Sequence, residues 1–310
     1  MTQLPGHRLT TPRAGLAWAF AATIVVGVLA QAPPLHAASA AAQARTYSKG
    51  LLWKIEGTAA KPSFLFGTIH SDDARLATLP APVKQRFDRA ASFTMETLVN
   101  GPGMVAMAEA MFFNDDKTLE GVLGKDLYPL TVKALAKHGM PRESAVKMKP
   151  WAAMMTLSLP PPTSGLFLDL MLQLEAARQS KPTHGLETMA EQIAVFNELP
   201  LEDQVVLLRE TVQNHNTLNQ QLEELMRAYL DRDLTGLGAI EQKYKIGDAR
   251  LHRIMTDRLL VKRNRLMLER MRPRLLEGNA FIAVGALHLI GGDGLLALLE
   301  NSGYRVSAVY

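Results

Sequence analysis

Two histidines near opposite ends of the chain close the same local pattern. Ser63-Phe64-Leu65-Phe66-Gly67-Thr68-Ile69-His70 and Phe281-Ile282-Ala283-Val284-Gly285-Ala286-Leu287-His288 each read as an apolar strand followed by Gly-x-(Ile/Leu)-His. Two further short runs end in a carboxylate, Phe93-Thr94-Met95-Glu96 and His184-Gly185-Leu186-Glu187. In a parallel sheet the carboxyl ends of the strands form the edge where ligands bind, so these four runs would bring two imidazoles and two carboxylates to one rim. Each glycine would let the backbone turn off the strand and let another group come close. Two His with one or two Glu suffice to hold a divalent ion such as zinc or manganese with positions left open. Such an ion lowers the pKa of bound water and polarises a carbonyl. The same groups without a metal can serve as general base and acid, because His titrates near neutrality and a buried Glu is pushed up. A single His after a strand is most often structural. The duplicated motif, with two strand-end Glu beside it, is what points to a shared site.

Arg263 and Asn264 lie in Val261-Lys262-Arg263-Asn264-Arg265, whose plain reading is a polar helix face. An Arg turned inward beside the rim would fix a substrate carboxylate or stabilise an oxyanion with a planar fork that Lys lacks. Asp169 and Gln192 are polar positions with the same two readings. The remaining histidines stay outside the pattern. His215 falls on an apolar helical stripe and reads as a core or interface residue, and His184 as a surface residue at a strand start or a neighbour of Glu187. The chain has no cysteine, which removes disulfides, thiolate metal sites and cysteine nucleophiles.

The 310 residues are 47% apolar with a formal charge of +4, which suits a globular protein and neither a disordered chain nor a multi-span membrane protein. Arg8 and Arg13 precede an uncharged stretch from Ala14 to Ala32, ended by Pro33 and Pro34 and followed by small residues including Ala38-Ser39-Ala40. This is the layout of a secretory signal over residues 1–40, expected to deliver the protein to the periplasm; left uncleaved, the stretch would tether it to the inner membrane. Without residues 1–40 the balance is 32 basic against 30 acidic residues, so the basic pI says little about partners. A local excess remains at residues 250–277, nine Lys or Arg against three Asp or Glu, and reads as a solvated helix face. Nucleic acid is not an expected partner; a peptide or small-molecule substrate is.

The elements that must position these groups are short apolar runs separated by long helical patterns, the signature of an α/β or α+β protein. Strands are expected at Leu51–Ile55, Ser63–Gly67, Ser92–Met95, Thr183–Leu186, Ala280–Val284 and Arg305–Val309. They would form a small mixed sheet built from the two ends of a single 45–310 domain with large helical insertions. Met104, Met107 and Met111 recur at core-facing helical spacing. Pro150, Pro160, Pro161, Pro162 and Gly165 mark a loop that could cover a site. Val205, Leu208, Val212, His215, Leu218, Leu222, Leu225 and Tyr229 predict one helix from Leu201 to Leu230, and a second long helix is expected from Asp248 to Glu277 with Pro273 disturbing its last turn.

The ordered set Leu52-Trp53-Lys54-Ile55, Gly67-Thr68-Ile69-His70, Met95-Glu96, Gly185-Leu186-Glu187-Thr188 with Glu191-Gln192 and Phe196, Gln204 and Leu207, Arg263-Asn264, Val284-Gly285-Ala286-Leu287-His288-Leu289, Gly291, Gly294-Leu295-Leu296 and Gly303-Tyr304 resembles the TraB/PrgY/GumN family of exported or membrane-tethered proteins. The resemblance covers nearly all of the chain beyond residue 40. It implies similarity to the Tiki group, metal-dependent proteases that clip secreted signalling proteins, and more distantly to erythromycin esterase and a haem-binding group. His70, Glu96 and His288 match the family's catalytic or metal positions, and Glu187, Arg263 and Asn264 its accompanying polar positions. The expectation is an exported metal-dependent hydrolase, foremost a peptidase. His70, Glu96 and His288 would hold Mn, Co or Zn, Glu187 would be a further ligand or general base, and Arg263 would stabilise substrate charge. The alternatives are a non-catalytic binding protein for a peptide, haem or other small ligand, and a metal-free esterase-like hydrolase with His70 as general base.

Overall fold

The computed structural model of this chain describes residues 47–161 and 163–310, so the export segment read at residues 1–40 lies outside the described residues. Six strands, β1 (Leu52–Glu56), β2 (Ser63–Thr68), β3 (Ser92–Thr97), β4 (Thr183–Glu187), β5 (Ala280–Gly285) and β6 (Arg305–Ala308), form one mixed sheet in the order β4-β3-β5-β2-β1-β6. All six expected strands are present, with ends moved by one or two residues. β4, β3, β5 and β2 are mutually parallel, and β1 runs antiparallel to both β2 and β6. The fold is therefore α/β with helical insertions, as the pattern predicts.

The two central strands explain their own sequences. β2 and β5 are buried at every position, so both faces must be apolar, and their runs are continuous rather than alternating. Their register pairs Phe64 with Phe281 and Thr68 with Gly285. The two Gly-x-x-His motifs thus leave neighbouring strands at the same edge, offset by one residue. β3 and β4 pair Thr97 with Glu187, which brings the two carboxylate-bearing ends to that same edge.

Two apolar clusters support the sheet and its insertions. One takes residues from Tyr47 to Val306 and contains the strands. The other takes residues between Met107 and Leu259 and is built from the helices Leu119–Lys137, Pro150–Leu157, Met189–Asn197 and Leu201–Asn214 with parts of their neighbours. Met107 and Met111 are buried in this second cluster, as their spacing predicts. Among the described residues no helix is long and apolar enough to cross a membrane.

Two helical expectations need correction. The predicted Leu201–Leu230 helix is two helices, Leu201–Asn214 and Leu218–Leu230, joined by a 3-10 turn at His215–Thr217. The Asn214-His215-Asn216-Thr217 stretch explains the break, because such side chains bond nearby backbone: the Thr217 hydroxyl donates to the Asn214 carbonyl at 2.8 Å. Pro150 does not belong to the loop. It is the first residue of the Pro150–Leu157 helix, where its missing N–H leaves no intrahelical bond unmade. The second long helix is present from Ala249 to Glu277, with Pro273 inside it near the end and Gly278 at φ +74° closing it. A π-wound turn at Asp257–Val261 stands between its Ala249–Thr256 and Lys262–Glu277 parts. One extra residue in a turn rotates the following face by about 100°. Arg263 and Asn264 come immediately after it, and both are buried.

Candidate active site

The rim expected from the sequence exists. Ser63–Thr68 delivers His70 two residues after the strand, and Ala280–Gly285 delivers His288 through a short 3-10 turn at Ala286–Leu289. Gly67 has an ordinary φ and serves for close approach. A Cβ there would lie 2.8 Å from Leu289 Cδ1 and 3.1 Å from Ala286 Cα, so only glycine lets the His288-bearing turn sit against β2. Gly285 is also in ordinary conformation (φ −54°), and what it contributes is its N–H, which donates to Glu96 Oε1 at 2.5 Å.

Beneath the rim lies a buried ionic knot. The Arg263 guanidinium, 5% exposed, donates through Nε to Glu187 Oε1 (2.9 Å) and through Nη2 to Glu187 Oε2 (2.8 Å) and Glu96 Oε2 (2.7 Å). Its Nη1 donates to the Leu259 carbonyl in the π-wound turn at 3.2 Å. Burial works against the charged guanidinium, but Glu96 and Glu187 outweigh it and hold the group protonated. Gln192 reaches Glu187 Oε2 at 3.4 Å. In this structure Arg263 therefore joins two carboxylates, and the second of them, Glu187, is saturated by donors.

His288 is fully buried, and its protonation is legible from its neighbours. Asn264 Nδ2 donates to the Asp293 carbonyl at 2.8 Å, which turns Asn264 Oδ1 toward His288 Nδ1, 2.6 Å away. Nδ1 therefore carries the hydrogen and Nε2 a bare lone pair. Burial and the nearby Arg263 charge, opposed by Glu187, lower the ring pKa to about 3, so it is neutral. Nε2 has no hydrogen-bond partner among the described residues and lies 3.5 Å from Glu96 Oε1.

His70 lies in a cleft of about 230 Å³, which Glu96, Gln192 and Gly285 also line. Asp169 organises it: His70 Nδ1 is 3.2 Å from Asp169 Oδ2, and the Thr68 hydroxyl donates to Asp169 Oδ1 at 2.6 Å. Burial pushes the Asp169 carboxyl up, but the hydrogen bond and charge of His70, helped by Thr68, hold it below the usual range. The imidazole stacks on Phe167, with ring centroids 4.2 Å apart and planes 10° off parallel. Phe167 ends the loop predicted to cover a site. That loop is pinned at its middle, where Asp72 Oδ2 accepts the backbone N–H groups of Thr163, Ser164 and Gly165 at 2.7 to 3.0 Å.

The six residues expected at the site thus divide. Glu96 and the buried His70 line the cleft; Glu187, Arg263, Asn264 and His288 are buried and do not line it. His184 pairs with Arg274 at 3.0 Å and stays apart from the rim, and the His215 ring packs half-buried 5.3 Å from that of His138. Sequence reading left Asp169 unresolved and overlooked Phe167, Asp293 and Glu241. The Thr68 hydroxyl and His70 Nδ1 both call for one acceptor, which was the available signal for Asp169. For Glu241 it was a carboxyl on the apolar face of the Leu234–Lys243 helix, beside Leu237 and Ile240.

A divalent ion fits these residues in donor chemistry. A buried imidazole lone pair facing a carboxylate oxygen with no donor between them is an arrangement that a cation would satisfy. Among the described residues, however, no three His, Asp or Glu side chains are gathered closely enough to hold an ion by themselves.

The TraB/PrgY/gumN family profile matches residues 51–308. Among curated proteins the chain is similar to the Metalloprotease TIKI2 of Xenopus tropicalis, 25% identical with 79% of this chain and 57% of that protein covered. It is likewise similar to the Metalloprotease TIKI2 of Danio rerio (25% identical, 79% and 58%) and the Metalloprotease TIKI1 of Xenopus tropicalis (24% identical, 82% and 60%). The chain spans less than two thirds of the length of these relatives. No solved structure matches it. With its matched region running from the first strand to the last, the chain belongs to the TraB/PrgY/gumN family.

Proposed function

We propose that the protein is an exported, periplasmic metal-dependent hydrolase that acts on peptides. The observation that carries this reading is the neutral, buried His288 Nε2 facing Glu96 Oε1. The relatives named metalloproteases agree with it. His288 and Glu96, which already face each other, would hold the ion, His70 would have to be drawn in as third donor when it binds, and Mn, Co or Zn suits this donor set. When bound, the ion polarises a carbonyl and lowers the pKa of its water. The chain's own part is positional. Arg263 and the Gly285 N–H hold the two oxygens of Glu96, Asn264 sets the His288 tautomer, and Asp169 sets that of His70. Arg263 then acts as a positioning residue for Glu96 and Glu187 rather than as a group that touches substrate. Export is supported by the basic-then-apolar run from Arg8 to Ala32. Metal content of the purified protein, wild type beside His288→Ala, tests the reading: about one ion per wild-type chain is expected, with most of it lost in the variant, and a metal-free wild type whose melting temperature Mn(II), Co(II) and Zn(II) all leave unchanged would count against it.

A metal-free reading is favoured by one observation, the Asp169-His70 pair at the cleft wall, which has the form of an oriented general base. Peptide or ester hydrolysis that survives exhaustive chelation would select it.

A further inference from the structure

Among the described residues six carboxylates line the cleft, those of Asp72, Asp73, Glu96, Asp169, Glu223 and Glu241, against a single guanidinium, Arg75. Five of the six have strong partners. Asp72 takes three backbone N–H groups, Asp73 and Glu223 share Arg75, Glu96 takes Arg263 and the Gly285 N–H, and Asp169 takes Thr68 and His70. Glu241 is the exception. It is 7% exposed, its Oε2 accepts only the Gln242 side-chain amide at 3.1 Å, and its Oε1 is buried with no hydrogen-bond partner among the described residues. No cation of the described residues pairs with it, and burial alone pushes its pKa up to about 7. A buried carboxyl without a partner is costly to keep, and a ligand that brings a positive charge removes the cost. Leu222, Leu225, Leu237 and Ile240 line the same cleft and give it aliphatic surface. At about 230 Å³ the cleft is smaller than pockets that take drug-sized ligands and suits one side chain of a longer molecule.

We propose that Glu241 is the recognition residue of a cation subsite, taking an ammonium carried on an aliphatic stem, with the stem lying on Leu222, Leu225, Leu237 and Ile240. The inference rests on the peptide-hydrolase reading and names its substrate class, with the substrate placed in the cleft that His70 and Glu96 line, and it does not depend on whether a metal is used. A lysine side chain and a free alkyl amine share this chemistry. The surplus of carboxylates lining the cleft would concentrate either of them there.

The test is equilibrium binding to the full chain as purified, using acetyl-Ala-Ala-Lys-Ala-Ala-amide and its norleucine counterpart, which keeps the stem and lacks the charge. Wild type should bind the lysine peptide about tenfold or more tighter. Glu241→Gln, folded by circular dichroism, should bind the two peptides equally and keep the norleucine affinity. No lysine preference in wild type, or the same preference in Glu241→Gln, overturns the proposal. n-Pentylammonium displacing the lysine peptide from wild type more effectively than from Glu241→Gln would extend the subsite to free amines; equal displacement from both proteins would overturn it. Because binding is the readout, a protein that prefers lysine but cleaves nothing keeps the subsite and removes the hydrolase, whereas one that cleaves peptides without that preference does the reverse.

Discussion

Arg263 grips Glu187 side-on in the buried layer beneath the strand ends, with Nε 2.9 Å from one carboxylate oxygen and Nη2 2.8 Å from the other, and the same Nη2 reaches Glu96 at 2.7 Å. One cation on a helix thereby ties together the ends of β3 and β4. The two carboxylates would repel each other at this edge without it.

Removing that cation leaves two buried carboxylates uncompensated. Arg263→Ala should destabilise the fold by about 3–5 kcal/mol in urea unfolding. Arg263→Met combined with Glu187→Met should recover much of the loss, since a well-packed apolar pair avoids the desolvation cost. A double variant no more stable than the single one would show that Glu187 is not what Arg263 compensates.

The Asn264-His288 bond has a separate role, because it decides which ring nitrogen carries the hydrogen. Asn264→Leu should leave His288 without its Nδ1 acceptor and weaken binding of Mn(II) or Zn(II) by about 10–100-fold. Asn264→Asp, which keeps an acceptor, should retain more of the affinity. Metal titration by calorimetry on both variants separates the tautomer effect from a loss of packing.

Asp169 and Thr68 hold His70 from behind its ring. Asp169→Asn should lower kcat for a peptide substrate by about 10–100-fold with a smaller change in KM, because the ring loses orientation while the cleft wall stays. A rise in KM at constant kcat would place Asp169 in substrate binding instead.

The Ala286–Leu289 turn approaches β2 only because residue 67 has no side chain. Gly67→Ala should cost about 1–3 kcal/mol, since the new methyl would meet the Leu289 side chain at 2.8 Å and the Ala286 backbone at 3.1 Å. The displaced turn carries His288, so metal affinity should fall together with the melting temperature.

Glu241 gives stability a pH dependence of defined sign. Its folded pKa of about 7 lies above the ordinary value of 4.5, so between these the folded state binds more protons and stability falls as pH rises. The charged groups nearby do not reverse this: Glu223 is paired with Arg75, and Lys243 with Glu224. Allowing for partial access of solvent, wild type should lose on the order of 2 kcal/mol relative to Glu241→Gln between pH 5 and pH 8. Parallel curves for the two proteins in denaturant unfolding would show that the carboxyl is not held in this environment.

The strands were legible because β2 and β5, buried on both faces, demand unbroken apolar runs, and because the first five runs each stop at a glycine or a carboxylate. The break at His215–Thr217 was not, since the apolar stripe continues through it and only local side-chain bonding marks the turn.

The amino-acid sequence by itself determined that two Gly-x-x-His segments and two strand-end glutamates would share one edge, because strand direction and the parallel crossover are dictated by apolar runs spaced by helices. Only the tertiary structure decided which of these groups line the cleft and which lie behind it. Glu96 and the equally buried His70 line the cleft while His288, Glu187 and Arg263 do not, and that division goes with the one-residue offset between β2 and β5 and the π-wound turn that precedes Arg263. Neither leaves a periodic trace in the chain, because both arise from how separate elements pack rather than from the preference of any one segment.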